Sequence, residues 1–132
     1  MAYLGIRERR VGAVTVIDAD AEVRIGLKFG ARVVTLSSAV QSLLDDGRNQ
    51  ILVNLEQVSS IGNRGLTELV SAAAATNLKG GRFKLAHPNE TVLTAIRKAQ
   101  LHTYLDVFDV ESQAIDSFKV SLSQISGREI AS

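Results

Sequence analysis

The sequence has no cysteine, no tryptophan and a single proline, and aromatic residues fill only 5% of its 132 positions. Without cysteine it can carry no disulfide framework, no thiolate metal site and no cysteine nucleophile. Sparse aromatics leave no platform on which bases could stack. Charge of one sign is also missing: 15 basic residues face 14 acidic ones, for a formal net charge of +1. A nucleic-acid binder normally concentrates positive charge on one face. Here Arg7, Arg9 and Arg10 cluster, but Glu8 interrupts them, and the group reads as the solvated face of an edge strand. No apolar run approaches a membrane span, and the first residues, Met1 to Gly5, lack a signal-peptide pattern. These absences suit a cytoplasmic protein with neither nucleic acid nor membrane as partner.

What is present is a folded chain. Apolar residues make up 45% of it, enough for one core in one domain. The domain is expected over residues 1–132, with a tail at 126–132. Residues 3–10 and 13–18 read as two strands joined by a turn at Gly12, a hairpin. Residues 19–32 are ambiguous between a short alternating strand and a loop punctuated by Gly26 and Gly30. Residues 33–46 carry a helical stripe of Val33, Leu36, Val40, Leu43 and Leu44, with Gly47 suited to follow the helix. Further on, residues 82–86 and 105–108 read as strands. Helices are expected over 90–100, capped by Asn89 and lined by Val92, Ile96 and Ala99, and after Asp109, lined by Ile115, Phe118, Leu122 and Ile125. Strands alternating with helices predict an α/β fold with a mixed, mainly parallel sheet of four or five strands. The helices should lie mainly on one side of it.

The most informative stretch runs from Ile51 to Val70. Residues 51–55 form an apolar strand in which Asn54 is a polar residue needing a partner. A helix follows from Leu66, with Leu66, Leu69, Val70 and Ala73 as its buried stripe and four alanines from Ala72 to Ala75. Between them, Gly62-Asn63-Arg64-Gly65 marks a turn. Its glycines suit positive φ or close chain approach, and Asn63 suits the cap. Helix starts leave unpaired N–H groups pointing outward.

With the apolar strand 51–55 stand Val58, Ile61, Gly65-Leu66, Glu68-Leu69-Val70, Gly80-Gly81, Phe83-Lys84-Leu85 and Val107-Phe108-Asp109, the last running on to Ala114 and Phe118. Together, in this register, they resemble a STAS domain of the anti-sigma factor antagonist type over nearly the whole chain. The resemblance implies a protein–protein module of bacterial transcription regulation. Such a module binds a serine-kinase anti-sigma factor, a kinase-fold partner, through the turn and helix just described. It also implies a partner-binding set of Ser59, Ser60, Gly62, Asn63, Arg64, Gly65, Thr67 and Glu68. In that family the kinase phosphorylates a Ser or Thr in the turn, and the added negative charge blocks docking. This sequence departs at that place. Gly62 stands for the family's Asp, Asn63 for the first hydroxyl residue, and Arg64 for the phosphoacceptor. A guanidinium cannot take a phosphoryl group from a serine kinase, so the usual switch is lost or displaced.

Other readings remain beside that one. Ser59, Ser60 or Thr67 could be a displaced phosphosite, although hydroxyls there commonly just satisfy the backbone. Gly62 to Gly65 could cradle a nucleotide or other small anion at the helix start, which would make the chain a ligand-binding sensor or scaffold. A transporter tail is set aside for want of a membrane segment. His87 and His102 have neither a serine-nucleophile motif nor a third ligand beside them, and read as surface or strand-end histidines. With no nucleophile–base pair and no cofactor fingerprint, neither an enzyme nor a cofactor is expected. The oligomeric state is open, a homodimer included.

Overall fold

A computed structural model describes residues 6–20, 27–29 and 32–118. The elements in order are β1 (Ile6–Val11), β2 (Val14–Asp20), β3 (Leu27–Phe29), β4 (Arg32–Val34), α1 (Leu36–Asp45), β5 (Gln50–Gln57), α2 (Asn63–Leu78), β6 (Arg82–Ala86), α3 (Glu90–Lys98) and β7 (Asp106–Phe108). A helix over 111–118, α4, follows β7. The main sheet has the order β1-β2-β5-β6-β7. The β1–β2 pair is antiparallel and the other three are parallel. This is the expected α/β architecture with β5 in the middle.

Each parallel connection steps the same way across the sheet, from β2 to β5 to β6 to β7. Right-handed crossovers that all move in one direction place their helices on one face. Accordingly α1, α2 and α3 pack with Ile17, Ile51, Val53, Leu55, Phe83 and Leu85 in the larger core. The other face carries Val14, Val16, Leu52 and Ala86, and there, among the described residues, α4 packs through Ala114, Ile115 and Phe118.

Local chemistry explains most element boundaries. Gly12, Gly47 and Gly80 adopt positive φ at turns and helix ends, a conformation that costs glycine little. Gly81 is needed for a different reason: a Cβ there would sit 2.1 Å from the Asn49 carbonyl oxygen. Asn89 caps α3, its side chain accepting from the Val92 N–H at 2.8 Å.

Several expectations need correction. The first long helix starts at Leu36 rather than 33, because Arg32–Val34 pair with Leu27–Phe29 in a second, two-stranded sheet. Thr35 then closes a capping box with Ser38. Ala99 is the exposed C-cap of α3 rather than part of its buried stripe. Asp109 does not start α4: the Ala114 N–H bonds to the Val110 carbonyl, which puts the N-cap at Val110. Leu122, Ile125 and the tail 126–132 lie outside the described residues, as do residues 3–5 of the first strand.

Candidate functional site

The turn after β5 is shaped by two apolar anchors. Val58 turns back, its N–H bonded to the Leu55 carbonyl at 3.0 Å, and its side chain is buried. Ile61 is buried as well, so Ser59 and Ser60 between them are forced outward. Gly62 is the N-cap of α2, with φ −101° and ψ −172° and no side-chain hydrogen bond to the first turn. Two expectations fail here. Asn63 is the first residue of the helix, not its cap. Gly62 has extended backbone that any residue adopts, and a Cβ on it would meet nothing within 4 Å. Gly65 does face the interior.

Six of the eight expected site residues form an exposed ridge: Ser59, Ser60, Gly62, Asn63, Arg64 and Thr67. Gly65 is buried and Glu68 half-buried. The Thr67 hydroxyl donates to the Asn63 carbonyl at 2.9 Å, an ordinary use of a helical threonine. One Glu68 carboxylate oxygen accepts from both the N–H and the hydroxyl of Ser37, each at 2.9 Å. Glu68 thereby supplies negative charge to the start of α1, where the helix dipole favours it. Arg64 forms no ion pair among the described residues. The first turn of α2 contains no acidic residue, so Arg64 stands there opposed by the dipole.

On the opposite face, at the same end of the sheet, lies a polar cluster that sequence reasoning missed. Arg9 donates to Asp18 through Nε at 2.5 Å and Nη2 at 2.8 Å. It also donates to Glu111 through Nη2 at 2.7 Å and Nη1 at 3.2 Å. Asn54 Nδ2 donates to the same Glu111 at 2.7 Å, and its Oδ1 accepts from the Glu56 N–H at 2.8 Å. The Glu111 N–H in turn donates to His87 Nε2 at 3.2 Å. The Arg9 hydrogen bonds hold the Glu111 carboxyl below its ordinary range, with Asn54 helping and burial opposing. Arg9 is shifted further upward by Asp18 and Glu111. So Arg9 is not merely part of a solvated edge. The need of Asn54 for a partner was visible, but the partner is 57 residues away.

Lys84 is a second unforeseen feature. It is 5% exposed on the α4 face, with Nζ 3.2 Å from Asp106. The ammonium also lies 5.3 Å from the Phe108 ring centroid and 5.2 Å from that of Phe118, a distance at which ring quadrupoles attract cations. Among the described residues no group of three or more His, Cys, Asp or Glu could hold a metal ion. His87 serves backbone chemistry at the end of β6. No helix among the described residues is long and apolar enough to cross a membrane.

A family model described as the STAS domain matches residues 13–114. A candidate anti-sigma factor antagonist from Thermotoga neapolitana is 32% identical over 73 residues, covering 55% of this chain and 65% of the relative. The match thus spans just under two thirds of that protein's length. The crystal structure of a candidate anti-sigma factor antagonist from Thermotoga maritima superimposes with a TM-score of 0.67. It is 22% identical, with 85% of this chain and 92% of that one covered. The phosphorylated form of the Bacillus cell fate determinant SpoIIAA gives a TM-score of 0.61 at 17% identity, covering 86% and 98%. At these identities the structural likeness speaks for the fold.

Proposed function

The chain belongs to the STAS domain family, and on that premise we propose that it is a protein–protein signalling module that docks on a serine-kinase anti-sigma factor or a related kinase-fold protein. The docking surface is the ridge from Ser59 to Thr67 at the start of α2. Docking is not switched by phosphorylation at the family position, because Arg64 occupies it. Release of a sigma factor would then follow the abundance of this protein rather than its phosphorylation state.

The observation that carries this reading is the placement of Arg64. Its backbone is in the first turn of α2, it is exposed, and no described residue pairs with it. A serine there would present its hydroxyl to a kinase. An arginine presents instead a fixed cation that a docking partner can meet with a carboxylate. The resemblance to anti-sigma factor antagonists supports the choice of partner, and SpoIIAA, an anti-sigma factor antagonist of the same fold, is known in unphosphorylated and phosphorylated forms.

The test is the affinity of the purified serine-kinase anti-sigma factor from the same cell, with and without ATP, for wild type and Arg64→Ser. Wild-type binding that persists through prolonged incubation with ATP, beside a variant that gains phosphate and is released, is the expected result. Failure of both proteins to bind any such kinase would overturn it. Intact mass in the same incubation reports on Ser59, Ser60 and Thr67, and wild type should gain none.

The open start of α2 also favours a second reading, a sensor that takes a nucleotide or small anion. Two recesses, of about 390 Å³ on α3 and about 180 Å³ beside the start of β6, lie elsewhere; neither is lined by a residue of 59–68. A thermal-shift series with nucleotides and inorganic phosphate decides it. No stabilisation at millimolar ligand would end the sensor reading.

A further inference from the structure

We infer that Asn89, a residue outside the ridge, is a positioning residue that sets the conformation of the docking turn. The inference rests on the docking reading above.

Asn89 uses its whole amide. Oδ1 accepts from the Val92 N–H at 2.8 Å and caps α3. Nδ2 donates to the Val58 carbonyl at 3.2 Å and to the Ser59 carbonyl at 3.0 Å. The orientation is unambiguous. A flipped amide would set its oxygen against two carbonyls and its NH2 against an N–H. Val58 and Ser59 are the two residues at which the chain leaves β5 and turns towards α2. Their carbonyls point to the next loop of the sheet, so the turn is tied to the start of α3, thirty residues away in sequence.

The consequence is geometric. Between the buried anchors Val58 and Ile61 and the next apolar contact at Leu66, the ridge exposes Ser59, Ser60, Gly62, Asn63 and Arg64. Two hydrogen bonds from one rigid amide fix the direction in which Ser59 and Ser60 leave the sheet. A ridge already held in one shape loses less freedom when a partner docks. No other residue type does both jobs. Ser, Thr and Asp can cap a helix but cannot also donate two N–H bonds.

Asn89→Asp separates the two roles. The carboxylate still caps α3, while both donations are replaced by repulsion against two carbonyls. Asn89→Ser keeps a cap and removes the donors without adding charge. Both variants should unfold within a few degrees of wild type. Amide hydrogen exchange at Val58 and Leu66, whose N–H groups are bonded to the Leu55 and Gly62 carbonyls at 3.0 Å each, should accelerate by about tenfold, the loss expected for one or two ordinary hydrogen bonds. Exchange elsewhere in α2, from Leu69 onward, should not change. Affinity for the purified serine-kinase anti-sigma factor should fall severalfold in both variants.

Unchanged exchange at Val58 and Leu66 overturns the proposal whatever the affinities. Faster exchange with wild-type affinity overturns the role in docking. If wild type itself binds no such kinase, the docking reading fails, and the exchange rates still decide whether Asn89 holds the turn.

Discussion

The starts of α4 and α2 follow the C-terminal ends of parallel strands at one end of the same sheet, on opposite faces, and their chemistry is opposite. At α4 the first residue is acidic, Glu111. Its carboxylate meets Arg9 and Asn54 and its N–H meets His87. At α2 the cap is a glycine without a side-chain bond, no acid stands in the first turn, and the exposed charge is Arg64. The other two helices side with α4. Thr35 and Glu68 close the start of α1, and Asn89 closes α3. Among the described residues, three α-helix starts are thus satisfied from within and the fourth, that of α2, is not. The closed starts hold the layers together, and the open one is where a partner can be bound without first breaking a contact.

The strongest way to break this comparison is to detach α4. Phe118 is 1% exposed and packs both on the small second core and over Lys84. Phe118→Ala should cost about 3–5 kcal/mol of unfolding free energy in urea titration, as buried Phe truncations do. A loss below ~1 kcal/mol would mean that α4 is dispensable and the closed start decorative.

Next in size is the charge at the closed start. Glu111→Ala removes the shared acceptor of Arg9 and leaves buried Asn54 without its partner. Discounting for the partial exposure of Arg9, the loss should be about 1–3 kcal/mol. The same carboxylate gives a pH signature. Its folded pKa lies below the ordinary 4.5 because of Arg9, so its contribution is complete above that value and disappears as pH falls through the lower, folded one. The stability gap between wild type and Glu111→Gln should therefore be flat from neutral pH down to about 5 and narrow below. A gap that widens on acidification would contradict the assignment.

How far this contrast could be read without coordinates depends on how local each feature is. The strand, turn and helix from Ile51 to Leu78 were legible because alternation, clustered glycines and a helical stripe all act within a few residues. The caps at Asn89 and Gly47 were legible for the same reason. The Arg9–Asp18–Glu111–Asn54 cluster was not. It joins β1, β2, β5 and α4, and only the unpaired look of Asn54 hinted at it. Glu68 entered the partner-binding set only through the family resemblance; that it serves Ser37 depends on how α1 lies against α2. Val33 and Val34 read as helix because Val33 extends the apolar stripe of α1, and pairing with Leu27–Phe29 overrode that pattern. Lys84 sat between Phe83 and Leu85, and nothing nearby signalled that two phenylalanines would cover its charge.

At the open start the effects are smaller and opposite in sign. Arg64→Glu replaces a cation that opposes the α2 dipole with an anion that complements it. Each charge is worth roughly 0.3–1 kcal/mol in a first turn, so thermal unfolding should move up by a few degrees. Binding to the kinase-fold partner should fall at least tenfold, since the contact charge is inverted. A variant that is both more stable and still bound would show that Arg64 makes no partner contact, and would leave the ridge without its distinguishing residue.

The smallest expected effect is the most direct test of whether the open start is open by residue choice or by geometry. Gly62 has extended backbone and free space where a Cβ would stand, so Gly62→Asp introduces no clash and no strained dihedral. The carboxylate can accept from the first-turn N–H groups of α2, which improves on a glycine cap by a few tenths of a kcal/mol. Loss of glycine also stiffens the unfolded chain, worth about another 0.4–1 kcal/mol. The expected outcome is a rise of one to several degrees in the unfolding midpoint, about what 1 kcal/mol yields in a domain of this size, with weaker partner binding because the N–H groups are now occupied. No rise would mean that those groups already have partners in solution, and the contrast between α2 and α4 would collapse. A rise without loss of binding would keep the contrast and place the partner on the side chains of the ridge, with Arg64 foremost, rather than on its backbone.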